Sequence, residues 1–184
     1  GKYMLVIIGP SACGKTQIVN KLISDFGYKK LVTYTTRPMR LNEKQGIDYN
    51  FITEEKFKEK INNSFFIEYV KYNNNYYGTS YSDLSKDKVV IIEAEGLKSY
   101  LEKARNQITV IFIRCSKPIR RIRMIESLDS EENIQKRLNS DDIVFNENVQ
   151  ALADYVIDSS NSNVYDCAKL VDSLYKKSVN SDAN

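Results

Sequence analysis

Histidine is absent from the 184 residues, which removes the commonest acid–base side chain and any His-ligated metal site. Whatever reaction this chain serves proceeds without an imidazole base. Long apolar runs are missing as well. The longest are Met4–Ile8, Val89–Ile92 and Val110–Ile113, far short of the roughly 20 residues of a membrane-spanning helix, and no signal-peptide pattern precedes the first. The three cysteines, Cys13, Cys115 and Cys167, are widely spaced and show no metal-ligand pattern. A reducing, cytoplasmic setting is therefore expected, with no membrane partner. A net charge of +3 is too small to argue for nucleic acid. There is no internal repeat and no linker.

What is present suits one compact domain with inserted lobes, since 42% hydrophobic residues can build a real core. The most informative stretch is Gly9-Pro10-Ser11-Ala12-Cys13-Gly14-Lys15-Thr16, which fits G-x-x-x-x-G-K-[ST], a phosphate-cradling loop. Its flanks agree. Tyr3–Ile8 reads as a strand buried on both faces. Ile18, Val19, Leu22, Ile23 and Phe26 recur at helical spacing and Gly27 stops the helix. The glycines let successive N–H groups turn inward at the head of a helix and surround phosphate oxygens. Lys15 adds a mobile cation for β- and γ-phosphates, and the Thr16 hydroxyl is placed to ligate Mg²⁺.

Further along, Leu31–Tyr34 reads as a short strand running into a loop from which Arg37 and Arg40 project around Pro38. A helix is expected from about Thr53, carrying Phe57 and Ile61. Lys88–Ile92 and Ile108–Arg114 read as buried strands. Glu93 and Glu95 follow the first, at the carboxyl end where ligands bind in open α/β sheets. After Ser116 and Pro118 comes a helix with Ile119, Ile122 and Ile125 on one face and Arg120, Arg121 and Arg123 on others. A second, capped at Ser130-Glu131-Glu132, leads into Ile134, Arg137 and Leu138. Tyr155–Ile157 is the last strand. Asn163 caps a final helix with Val164, Ala168, Val171 and Leu174 inward, and Ser178–Asn184 is expected to fray.

The segments GPSACGKT, YTTRPMR, GIDYNF, FIEYV and NYYGT, in this order and at these separations, resemble guanylate kinase, and the resemblance covers essentially the whole chain. It implies an α/β P-loop kinase with a parallel five-stranded core sheet flanked by helices (residues 1–32, 84–115 and 138–184). An inserted monophosphate-binding lobe is expected at 33–83 and a lid at 116–137. It further implies phosphoryl transfer from ATP, the co-substrate, to GMP in the presence of Mg²⁺.

By this resemblance Ser11, Ala12, Cys13, Gly14, Lys15 and Thr16 bind ATP, and Thr16 and Glu93 flank the metal. Arg37, Arg40, Tyr49 and Tyr77 hold the GMP phosphate, for which paired guanidinium donors are suited. Glu68 accepts the adjacent N–H donors of guanine. Thr33, Gly78, Thr79 and Glu95 complete the base site. Lys15, Arg37, Arg123 and Arg137 gather on the transferring group. Glutamates replace the family's two aspartates at Glu93 and Glu95, with a local shortening before Gly96. The lid arginine usual near Glu126-Ser127 is missing, so either Arg120 or Arg121 takes its place or turnover is slower than usual. The asparagine that commonly neighbours adenine is replaced around Ser159.

Two other functions remain open at this point. One is a related kinase for another phosphorylated substrate such as a ribose phosphate, against which Glu68, Thr33 and Thr79 argue. The other is a catalytically weak guanylate-kinase-like binding module, against which the retained Lys15 and Thr16 argue.

Overall fold

Strand β1 (Met4–Ile8) has all five side chains fully buried, because it lies at the centre of a sheet covered on both faces. Its period of two sorts those side chains into two layers. Leu5 and Ile7 join Ile18, Leu22, Ala168 and Val171 on one side, while Met4, Val6 and Ile8 join Leu97, Tyr100 and Phe112 on the other. The computed structural model describes residues 4–183, so Tyr3 and Asn184 lie outside the described residues.

The remaining elements, in chain order, are α1 (Lys15–Asp25), β2 (Lys29–Lys30), β3 (Tyr34–Thr35), β4 (Asn50–Phe51), α2 (Glu54–Asn62), β5 (Phe66–Tyr72), β6 (Asn75–Ser80), β7 (Lys88–Ile91), α3 (Ala94–Ala104), β8 (Ile108–Arg114), α4 (Lys117–Glu126), α5 (Glu131–Val144), α6 (Glu147–Gln150), β9 (Tyr155–Asp158) and α7 (Val164–Ala183). The core sheet has five strands in the order β2-β7-β1-β8-β9, all parallel. The expected fold class is therefore the observed one. No helix among the described residues is long and apolar enough to cross a membrane.

A second sheet, ordered β4-β3-β6-β5, is built from the inserted segment. Its hairpin turns at Asn73 and Asn74, with φ of 48° and 67°, the left-handed pair that a two-residue loop needs and that asparagine tolerates. A bulge between Phe66 and Glu68 lets Ile67 plug into the core beside Leu97 and Tyr100 and leaves Glu68 opposite Thr79. Thr53 caps α2 by accepting from the Lys56 N–H at 3.2 Å, as expected.

Three sequence expectations need correction, and on α4 the apolar stripe is not the buried face. Leu31–Tyr34 is not one strand. The chain leaves the edge of the core sheet after Lys30, and the next strand, β3, belongs to the second sheet. On α4, Ile122 and Ile125 are 50% exposed, whereas Arg120 and Met124 are buried. The helix turns its Arg120 face inward because α5 offers Asp141 and Asp142 there. Val164, at the mouth of α7, is exposed although Ala168 and Val171 are buried. The tail expected to fray is helical through Ala183.

Candidate active site

The loop after β1 is shaped by left-handed residues, with φ of +151° at Gly9, 63° at Ala12 and 83° at Gly14. These turn the backbone into a concave nest at the head of α1, the geometry that collects N–H groups around an anion. A cleft of 280 Å³ opens on it, lined by Ser11, Gly14, Lys15, Thr16 and Arg137. The loop and Arg137, far apart in sequence, thus meet at one place. Lys15 donates to the Gly9 carbonyl and, at 3.0 Å, to the Pro10 carbonyl, and burial lowers its pKa. Arg137 is paired with Asp129.

Asp141 was not foreseen. Its carboxylate, carried by α5, accepts from the Ser11 N–H at 3.0 Å, so a side-chain anion already sits on an amide of the loop. The buried Arg120 guanidinium faces it at 3.9 Å and Asp142 at 3.3 Å. Arg120 is therefore spent between α4 and α5, and Arg121 is paired with Glu131. No local pattern in the sequence marks Asp141, since its partners are remote.

Arg123 donates to the carbonyls of Ala12 at 3.0 Å and Ser159 at 3.2 Å. The Ser159 hydroxyl donates to the Cys13 carbonyl at 2.8 Å. Together they brace the loop from α4 and from the end of β9. Cys13 itself is fully buried, and burial pushes its thiol up to about 12, so it packs and does not react. A further cleft of 420 Å³ adjoins the loop and is lined in part by Cys13, Arg123, Ser127, Arg137, Ser159 and Ser162.

In the inserted lobe, the Arg37 guanidinium is gripped by both oxygens of Glu43 at 2.8 and 2.7 Å. It also lies 5.2 Å from the centroid of the Tyr49 ring, and Tyr49 in turn lies 5.9 Å from Tyr77. Glu43 additionally accepts from the Arg40 N–H at 2.8 Å. One carboxylate thus organises both arginines. Its signal was available as the acid three residues after Arg40 in Arg-Pro-Met-Arg-Leu-Asn-Glu, but only the fold shows that it turns back. Arg37 holds the Glu43 carboxyl down to about 2. That folded value lies below the usual one of about 4.3, so the pair is fully present above the usual range and is lost as pH falls toward 2. Carboxyl NMR is expected to show Glu43 titrating at least about one unit below the solvated glutamates. A coincident midpoint would mean that the fork does not form in solution.

Glu68, half-buried on β5, accepts from the Thr79 hydroxyl at 3.4 Å, and burial raises its pKa. Thr33 lines a separate cleft of 370 Å³ with Thr16, Asp48 and Tyr49, between core and lobe. Gly78 serves by packing, because a Cβ there would lie 2.8 Å from the Phe66 ring. Glu93, the residue before α3, acts electrostatically on Lys15. Glu95 is exposed in the first turn of that helix.

Magnesium suits the loop by donor chemistry. It keeps several waters and takes one or two protein oxygens plus phosphates, so an exposed Thr16 hydroxyl on the cleft with Glu93 beyond Lys15 is a sufficient set. No cluster of three or more His, Cys, Asp or Glu able to hold a metal unaided exists among the described residues.

The sequence model of the family described as Guanylate kinase matches residues 2–177. The chain is 32% identical over 178 residues to a guanylate kinase of Sulfurimonas denitrificans, covering 90% of this chain and 83% of that protein. It is 34% identical over 138 residues to one of Legionella pneumophila, covering 71% and 66%. The crystal structure of guanylate kinase from Anaplasma phagocytophilum superposes with a TM-score of 0.64 at 25% identity, covering 96% of this chain and 85% of that one.

Proposed function

The chain belongs to the guanylate kinase family, and from that membership we propose how its residues divide the work of transferring the γ-phosphoryl of ATP to GMP. Arg37, Arg40, Tyr49 and Tyr77 hold the GMP phosphate. Glu68, with Thr79 and Thr33, reads guanine, and Glu95 stands at the edge of that site. The loop Ser11–Thr16 holds the ATP phosphates, with Lys15 and Arg137 against the transferring group and Arg123 keeping the loop in shape. Thr16 and Glu93 hold Mg²⁺, which supplies charge neutralisation between the phosphates. Three buried, unpaired cysteines suit a reducing cytoplasm.

The chemistry follows from charge. A phosphate monoester has a second pKa of about 6, so the attacking oxygen of GMP is already largely deprotonated at neutral pH. No general base is required, in keeping with a chain that has no histidine. What the residues must do is align two polyanions and offset developing charge. Arg37 is ready for this because Glu43 fixes its fork before substrate arrives.

The observation that carries the base assignment is Glu68 beside Thr79. A carboxylate there gains two donors from guanine, whereas adenine presents a lone pair to it. ADP release is to be measured with GMP, dGMP, AMP and ribose phosphates, for the unaltered protein and for Glu68→Gln. Glu68→Gln replaces one acceptor by a donor and is expected to weaken GMP use at least about tenfold while sparing ATP affinity. An unchanged GMP-over-AMP preference would remove Glu68 from the base site.

A further inference from the structure

Tyr100 is the largest of the fully buried side chains, 1% exposed in the middle of α3. A phenol so placed needs a partner for its hydroxyl, and an apolar ring would fill the same space without one. Its O–H lies 2.9 Å from Oγ1 of Thr79, itself 2% exposed, and the same Oγ1 lies 3.4 Å from Oε1 of Glu68.

The direction of these bonds follows from counting protons. An ionised carboxylate only accepts, so the single Thr79 hydroxyl proton must point to Glu68. Thr79 then has only a lone pair to offer Tyr100, and Tyr100 must be the donor. Burial and the charge of Glu68 both push the phenol's pKa upward, which keeps that proton in place. The result is a one-way relay from the core helix through β6 to β5. Oε1 of Glu68 is engaged by Thr79, and no hydrogen bond to Oε2 is made among the described residues.

Resting on the assignment of Glu68 as guanine reader, we infer that Tyr100 is a positioning residue for purine choice. Its hydroxyl fixes the Thr79 rotor, and Thr79 in turn holds the Glu68 carboxylate with one oxygen turned to the base. The bulge at Ile67 contributes by seating that residue against Tyr100 in the core. The base-reading carboxylate is thereby referenced to the rigid α/β core and not to the lobe alone.

The test is steady-state kinetics of Tyr100→Phe, Glu68→Gln and the double variant with GMP, inosine monophosphate and AMP. Tyr100→Phe keeps the ring and its packing, so a folded protein is expected, checked by its melting curve. Its KM for GMP should rise roughly five- to tenfold, with kcat at saturating GMP and KM for ATP changed less than about twofold. In the Glu68→Gln background the same change should have little further effect, because nothing remains for the hydroxyl to orient. If Glu68→Gln impairs GMP use and Tyr100→Phe does not, the relay is wrong and the base assignment stands. An equal Tyr100→Phe effect in both backgrounds would assign the hydroxyl to packing and overturn the relay. Should Glu68→Gln itself be silent, the base assignment and the relay fall together.

Discussion

Lys15→Ala is expected to abolish phosphoryl transfer, lowering kcat by roughly 10²–10³-fold or more, the scale of losing a preorganised charge partner of a developing anion. The ammonium lines the same cleft as Thr16 and Arg137, and residues 9–16 contain no other Lys or Arg that could take its place within the loop. GMP binding should survive, because Arg37, Tyr49 and Glu68 belong to the inserted lobe. Calorimetric titration with GMP alone, beside the coupled ADP assay, separates the two effects. Near-normal turnover would show that the loop does not hold the transferring phosphate. The fold should be nearly intact, since the bonds lost are those from Lys15 to the carbonyls of Gly9 and Pro10, which lie in a solvent-accessible cleft.

Gly9→Ala is expected to have the largest effect on stability. A Cβ at this position would lie 2.2 Å from the Ile113 carbonyl oxygen, and the backbone there has φ of +151°. The clash is with the main chain of the neighbouring central strand, so no rotamer change relieves it. Overpacking and a backbone conformation closed to L side chains add up to roughly 3–5 kcal/mol, a large share of the 5–15 kcal/mol typical of a native domain. Thermal melts should place Gly9→Ala about 10 °C or more below the unaltered protein. By contrast Gly14→Ala meets open space, its nearest contact being the flexible Gln17 side chain at 4.0 Å, and its cost is limited to its φ of 83°. Equal melting temperatures for the two variants would contradict the close approach of β1 and β8.

The parts of this protein that could be read from sequence are those whose chemistry is local. Gly9 to Thr16 carry their strand, nest and helix start within one stretch, and Thr53 and Ser130 cap helices through partners three residues away. The parts that could not be read depend on juxtaposition. From sequence, Arg120 is a candidate substitute for the missing lid arginine, lying off the apolar stripe of Ile119, Ile122 and Ile125. The fold instead buries the arginine, because Asp141 and Asp142 come opposite it only when α4 and α5 pack. Glu43 and Tyr100 are likewise ordinary residues until a turned loop and a core helix bring them to Arg37 and Thr79. The single strand read at Leu31–Tyr34 failed for a related reason. Its residues are suitable for a strand, but the chain changes sheets there.

The placement of β1 also dictates when a nascent chain can acquire its phosphate loop. Leu5 pairs with Val89 on one side and with Thr109 on the other, so β1 has neither of these neighbours until much of the chain after it has been made. Such distant contacts carry the loop-closure cost before any ladder rewards them, which slows folding. The β5–β6 hairpin, closed by two residues, faces no such delay. Ribosome-bound fragments ending before Ile113 are therefore expected to hold that hairpin sequence but no rigid loop, because the carbonyl against which Gly9 packs has not yet been made. Nucleotide binding should switch on late and abruptly along the growing chain, well after β1 and the loop that follows it have emerged.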